Sequence, residues 1–205
     1  MESYLKRGFF GGSFDPIHNG HLHLALELFE KHKLDEVFFC PTSQSPHKKN
    51  TPPQASKDHR RAMVTAAISP FPQFTLLDYE LQKTSSCYTI ETMRTLTEED
   101  PKVHYFLLLG EDAALSLHTW KEASELIKLA PPLVGSREKD LLSELKGADP
   151  AIVKSLKKGW TSIPRLEISS TWVRSRVNKG EYAGHLVPGK VWDYIQIHQL
   201  YQNQK

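Results

Sequence analysis

Along the chain, short apolar runs alternate with stretches in which apolar residues recur every three or four positions. Residues 7–11 (RGFFG) and 36–40 (EVFFC) predict short strands. Between them, 20–33 places Leu22, Ala25, Leu26 and Phe29 at i, i+3, i+4 and i+7, the pattern of a helix with one buried face. These three elements make a βαβ unit. The alternation continues with a helix over 56–68, a strand at 74–78 and a helix at 88–99. A strand at 103–109 (VHYFLLL) is apolar throughout, which suits the buried centre of a parallel sheet. A helix at 120–129 and a strand at 132–136 follow. The segment 41–55, rich in Pro, Ser and Thr, reads as a mobile surface loop, and 137–160 as a charged, weakly amphipathic stretch.

Strands and helices that alternate with connections of this length predict an α/β fold on a doubly wound parallel sheet. Ligands in such folds sit outside the carboxyl ends of the strands, where the strand order reverses. A length of 205 residues fits a single domain, 1–205, with a C-terminal helical part at about 170–205.

Composition narrows the function classes. Lys plus Arg is 26 and Asp plus Glu is 24, a net charge of +2, which gives no basis for a sequence-independent grip on nucleic acid. A hydrophobic share of 39% excludes intrinsic disorder. Cys40 and Cys87 stand far apart with no CxxC pair, against both a disulfide framework and a structural zinc site. No window approaches the roughly 18 uninterrupted apolar residues of a membrane span, and the N-terminus turns glycine-rich before a signal peptide can build. The expectation is a cytoplasmic protein in a reducing compartment, with neither membrane nor nucleic acid as partner.

Five of the 10 histidines (His18, His21, His23, His32 and His47) fall in the first quarter of the chain. Directly after the first strand, which ends on Gly11, comes Gly12-Ser13-Phe14-Asp15-Pro16-Ile17-His18-Asn19-Gly20-His21, leading into the first helix. Gly11 and Gly12 allow a tight turn and close backbone approach to a ligand. Gly20 does the same at the helix start, where free N–H groups and the positive dipole end favour phosphate. His18 and His21, three apart across that start, can converge on an anion held there. Either histidine alone would read as a cap or a packing residue; His23 and His32 face other directions on the helix and read as surface residues.

Other phosphate motifs are missing. There is no GxGxxG, and 184–191 (GHLVPGKV) lacks the Ser or Thr of a P-loop and the strand before it, so it reads as a turn into the last helix. A second anion site lies in Ile168-Ser169-Ser170-Thr171-Trp172-Val173-Arg174-Ser175-Arg176, where small hydroxyl residues precede a helix with two arginines. Ser169 or Ser170 alone reads first as an N-cap, and Arg176 reads equally as a plain surface charge.

These two segments resemble the HxGH and ISSTxxR signatures of the bacterial nicotinate mononucleotide adenylyltransferases, members of the nucleotidyltransferase superfamily with a Rossmann-like fold. Nearly the whole chain takes part in the resemblance: Pro46-His47-Lys48, Asp78-x-Glu80-Leu81, Tyr88-Thr89, Gly110-x-Asp112, Trp120, Arg137, Leu186-Val187-Pro188, Tyr194-Ile195 and His198-x-Leu200-Tyr201. Departures cluster at Lys83 and Ser85-Ser86-Cys87, where the family shows an arginine and a Gly-Pro-Ser run, and at Glu91, where it shows aspartate.

The resemblance implies transfer of AMP from ATP to the 5′-phosphate of nicotinate mononucleotide, giving nicotinic acid adenine dinucleotide and pyrophosphate, with Mg2+ accompanying ATP and no metal ligands assigned on the protein. It assigns catalysis to His18, His21 and Arg174. ATP and its phosphates fall to Gly11, Gly12, Ser13, Phe14, Gly20, Lys48, Ile168, Ser169 and Ser170. The nicotinate nucleotide falls to Asp15, Tyr88, Thr89, Gly110, Asp112, Trp120 and Arg137, with Trp120 stacking on the pyridine ring. Lys48 reads otherwise as an exposed loop lysine, and Trp120 as an ordinary core aromatic.

Rival readings are a related adenylyltransferase acting on nicotinamide mononucleotide or 4′-phosphopantetheine, and a non-catalytic nucleotide sensor on the same scaffold. A class I aminoacyl-tRNA synthetase is disfavoured by the lack of a KMSKS-like segment and of room for an anticodon-binding domain. The oligomeric state, a homodimer among the candidates, carries no sequence signal.

Overall fold

The structure, a computed structural model, describes residues 4–43, 52–83, 87–136, 145, 147–164 and 166–202. Six strands form one sheet: β1 (Leu5–Gly12), β2 (Glu36–Pro41), β3 (Phe74–Leu76), β4 (Val103–Gly110), β5 (Pro132–Ser136) and β6 (Trp160–Ser162), in the order β3-β2-β1-β4-β5-β6. β1 pairs parallel with β4, β4 with β5, and β5 with β6. Chain order thus runs outward in one direction from β1 and in the other from β4, so the reversal point is the β1/β4 junction. The expected α/β fold on a parallel sheet is what the chain adopts.

By density of contacts the chain divides into two compact units. The first comprises Met1–Gly11, Leu24–Phe38 and Tyr88–Arg165. It holds β1 up to Gly11, most of α1 (Asn19–His32), α3 (Thr89–Glu99), α4 (Glu111–Ser116), a 3-10 turn (Leu117–Thr119), α5 (Ala123–Leu129) and α6 (Pro150–Gly159). In β4, Tyr105, Leu107, Leu108 and Leu109 are all buried, as a strand covered on both faces requires. The buried line of α1 is Ala25 and Leu28, one position round from the expected Leu22, Ala25, Leu26 and Phe29, which are half-buried apart from Ala25.

Three further differences from the sequence reading lie in this unit. The helix expected over 120–129 starts only at Ala123, as α5, after Glu122 in a left-handed backbone at φ 51, and it is preceded over 111–119 by α4 and the 3-10 turn, which the sequence reading does not foresee. The stretch 137–160 contains α6, started by the Asp149 carboxylate accepting from the Ala151 N–H and by Pro150 in the first turn. After α6 comes β6, and at their junction a Cβ on Gly159 would stand 1.8 Å from the Pro132 carbonyl oxygen, so only glycine fits this close approach.

The second unit comprises Gly12–His23, Phe39–Cys87 and Leu166–Lys205. It contains the first turn of α1, the end of β2, α2 (Lys57–Ile68), β3, α7 (Ser170–Asn178) and α8 (Gly189–Ile197). The Ser56 hydroxyl caps α2 by accepting from His59 N, and the helix buries Arg60, Met63, Val64, Ala67 and Ile68. β3 stops two residues short of the expected 74–78, although Leu77 N still donates to Phe39 O at 2.9 Å.

Candidate active site

In the second unit the chain leaves the sheet at Gly12 and reaches α1 through a sharply bent segment. Phe14 takes a left-handed backbone, φ 46, and the Asp15–Pro16 peptide is cis. Phe14 is 1% exposed and packs on Phe39 (ring centroids 5.8 Å apart) and on the edge of His21 (5.0 Å). This burial holds a backbone conformation that side-chain-bearing residues otherwise avoid.

His18 stands one residue before α1 and His21 lies in its first turn, and their rings stack with centroids 3.6 Å apart. The His18 backbone N–H donates to His21 Nδ1 at 3.2 Å. An imidazole nitrogen that accepts carries no proton, so the neutral His21 ring bears its hydrogen on Nε2. His18 is 5% exposed, its Nδ1 is buried without a hydrogen-bond partner, and desolvation lowers its pKa to about 4. The pair is therefore neutral on the His18 side at physiological pH and presents N–H donors rather than a double charge. A Cβ on Gly20 would lie 3.1 Å from His18 Nδ1 and 3.5 Å from the Ile168 carbonyl oxygen, so glycine leaves the room in which His18 sits.

The second signature meets the first here. Ser169 is the N-cap of α7, its hydroxyl accepting from Trp172 N at 3.1 Å. The Ser170 hydroxyl donates to the Pro16 carbonyl at 2.8 Å, and Arg174 Nη1 to the Asp15 carbonyl at 2.6 Å. The guanidinium is half-buried and also reaches Thr171 Oγ1 at 3.3 Å. Arg176 turns elsewhere, to the Tyr182 carbonyl and the Glu181 carboxylate, and is a surface ion pair.

The Asp15 carboxylate is engaged within the protein. Its carboxylate is 6% exposed and accepts from Gln54 N (2.7 Å), Ala55 N (3.1 Å) and the Tyr201 hydroxyl (2.7 Å), with Arg174 Nη1 at 3.9 Å. It is an internal anchor. Of the described ends of the 41–55 segment, Thr42, Ser43 and Ala55 are buried, while Pro52 and Gln54 are exposed. His47, Lys48, Ser85, Ser86 and Arg137 lie outside the described residues.

Several contributors carried no motif. Arg60 is 1% exposed and binds the Ser13, Thr42 and Ser43 carbonyls. Its one sequence signal is its position at i of the stripe Arg60, Met63, Val64, Ala67, a charged residue on a buried helix face. His32 is half-buried, 2.7 Å from Thr161 Oγ1 and with its pKa lowered by burial, so it is a packing residue rather than a solvent-facing one.

The remaining expected residues belong to the first unit. Tyr88 is the N-cap residue of α3 and Thr89 its first residue; the Lys121 ammonium sits 4.5 Å from the Tyr88 ring centroid and 2.8 Å from Glu91 Oε1. Gly110 ends β4 and precedes α4, with Asp112 exposed in the first turn. Trp120 follows the 3-10 turn, outside any helix, and lines a groove of about 580 Å³ with Arg94, His118, Glu122, Lys128 and Asp149. Cys40 and Cys87 are buried free thiols, and burial raises the Cys40 pKa well above its ordinary value. Among the described residues no group of three or more His, Cys, Asp or Glu side chains could hold a metal ion, and no helix is long and apolar enough to cross a membrane.

Residues 9–176 match the cytidylyltransferase-like family. A Dehalococcoides mccartyi protein named "Probable nicotinate-nucleotide adenylyltransferase" is 40% identical over 202 residues, covering 96% of this chain and 97% of its own. A Clostridium tetani protein of the same name is 33% identical, covering 96% and 99%. The solved structure of Plasmodium falciparum nicotinic acid mononucleotide adenylyltransferase complexed with APC superposes with a TM-score of 0.76 at 21% identity, over 97% of this chain and 98% of that one. The same enzyme complexed with NaAD superposes at 0.74, and both likenesses bear on the fold.

Proposed function

The chain belongs to the cytidylyltransferase-like family and, within it, to the nicotinate-nucleotide adenylyltransferases, and from that premise we propose that it joins ATP and nicotinate mononucleotide into nicotinic acid adenine dinucleotide. The observation that carries the reading is the stacked His18–His21 pair at the start of α1, beside Gly20 and the Ile168 carbonyl.

In the reaction a 5′-phosphate oxygen of the mononucleotide attacks the α-phosphorus of ATP. The bond from that phosphorus to the bridging oxygen breaks, and pyrophosphate leaves with the electron pair. No side-chain nucleophile is needed, so the protein's task is to position two phosphates and to meet the charge that builds on the α-phosphate and the leaving group. His21, with Nδ1 already accepting from His18 N, has Nε2–H to give to the α-phosphate. His18, neutral in its buried site, adds a second donor without the cost of desolvating a cation.

Arg174 and the N–H groups after Ser169 take the β and γ phosphates, and Gly11, Gly12, Ser13 and Phe14 supply backbone to the same nucleotide. Lys48 adds charge from its loop. Tyr88, Thr89, Gly110, Asp112, Trp120 and Arg137 serve the nicotinate nucleotide. Magnesium enters with the phosphates of ATP as part of the substrate, since it is commonly held by phosphate and water with few protein ligands. On this reading the 205 residues work as one nucleotidyltransferase domain in the cytoplasm, on small molecules alone.

Purified protein given ATP with nicotinate mononucleotide, nicotinamide mononucleotide or 4′-phosphopantetheine in turn should release pyrophosphate fastest with the first. Turnover with phosphopantetheine and none with nicotinate mononucleotide would replace this reading, and no pyrophosphate with any acceptor would leave the sensor.

A further inference from the structure

Arg60 stands in no motif, yet it is among the most deeply buried side chains of the protein, at 1% exposure. Among the described residues all its hydrogen bonds go to backbone carbonyls: Nη1 donates to Ser13 O and Thr42 O, each at 2.7 Å, and Nη2 to Ser43 O at 3.3 Å. Nε is buried without a partner. Asp15 and Tyr201 act on the guanidinium through space only. A buried cation bound to carbonyls alone is an expensive way to fill a core position, since an apolar side chain of similar size would carry no desolvation cost.

What the arrangement supplies is direction. A peptide group is planar and trans, so a Ser13 carbonyl turned toward Arg60 sends the Phe14 N–H the opposite way. Two residues on, the Asp15 carbonyl is held by Arg174 Nη1 at 2.6 Å. Two arginines from different helices thus grip the carbonyls on either side of Phe14, the residue held at φ 46 between the end of β1 and the histidine pair. Thr42 O, gripped by the same nitrogen of Arg60, fixes the Ser43 N–H in the same manner.

We propose that Arg60 is a positioning residue for adenylyl transfer: by holding the Ser13 carbonyl it aims the Phe14 N–H at the phosphate of the bound nucleotide. The inference rests on the function proposed above. Arg60 does not touch substrate. It acts through one peptide group, and the forked geometry of the guanidinium, which an ammonium cannot copy, is what the position uses.

The test compares Arg60→Lys and Arg60→Met with the parent protein by pyrophosphate release, with thermal melting in parallel. The expected result is a kcat lowered about tenfold or more in both folded variants, with the KM for nicotinate mononucleotide nearly unchanged. Arg60→Lys should regain most of the melting temperature and little of the kcat. A folded variant with kcat within about twofold of the parent, or a lysine that restores rate and stability together, overturns the proposal. Should neither variant fold, the parent protein decides: its Phe14 amide resonance must shift when a non-hydrolysable ATP analogue is added, and an unmoved resonance overturns the inference. A parent protein that releases no pyrophosphate with any acceptor sinks the proposed function itself, whereas an active parent with unaffected variants sinks only the role of Arg60.

Discussion

The rings of His18 and His21 lie nearly parallel, 25° between planes and 3.6 Å between centroids. Two imidazolium ions at that separation would repel by about 5 kcal/mol even at an effective dielectric constant near 20, so the pair works with at most one positive charge. Both members are needed for different reasons, His21 for its Nε2–H, left free by the Nδ1 bond to the His18 backbone, and His18 because its ring, neutral in its buried site, adds a second donor. His18→Ala and His21→Ala should each lower kcat by about a hundredfold, read by pyrophosphate release. A normal circular dichroism spectrum would accompany the loss, and near-parental activity would make the rings structural.

The buried His18 makes the unliganded protein sensitive to acid. Its pKa is about 4 in the folded chain against about 6.5 when unfolded. The unfolded chain therefore takes up a proton first as pH falls. The stability that goes with a neutral His18 is fully present above about pH 6.5 and is lost between there and pH 4, up to about 3 kcal/mol. His32, whose pKa is also lowered by burial, acts in the same direction. Urea melts at a series of pH values should show a falling midpoint across that window, with a shallower fall in a His18→Gln variant.

Gly20 offers a milder perturbation than removal of a ring. An added Cβ would approach His18 Nδ1 to 3.1 Å and Cε1 to 3.2 Å, so the imidazole must give way by a few tenths of an ångström. Gly20→Ala should fold, since alanine favours a helix over glycine by about 1 kcal/mol, yet lose about tenfold in kcat. Retained activity would show that the ring has slack.

Much of this arrangement is legible in the sequence because it follows from local pattern. The segment from Gly11 to His21 announces a turn and a helix start after a strand, and the apolar run Tyr105–Leu109 of β4 announces a sheet centre. What stays hidden depends on distant partners. Arg60 looks like a solvent-facing charge on α2 until three carbonyls from 13, 42 and 43 are seen around it. Nothing near Asp15 in the chain says that Gln54, Ala55 and Tyr201 will hold its carboxylate oxygens. The α6 helix was within reach: Asp149-Pro150 is an N-cap and first-turn signal, masked by the surrounding charge.

Tyr201 supplies another test of that hidden layer. Its hydroxyl donates to Asp15 Oδ1 at 2.7 Å, and burial together with the Asp15 charge raises its pKa far above the ordinary phenol value. Tyr201→Phe leaves a buried carboxylate oxygen short of one donor and should cost about 1–3 kcal/mol of stability, measured by denaturant melts. An unchanged midpoint would mean that the two backbone N–H groups suffice.

The same bond has a consequence for the order of assembly. Asp15 and Tyr201 are 186 positions apart, so the residue that anchors the bent segment before the histidines waits for a partner synthesised long after it. During translation, at about 5–20 residues per second, the emerging chain carries both histidines for many seconds before the Tyr201 hydroxyl can exist. A ribosome-bound chain halted short of that residue should display the signature motif while leaving its seat unfinished.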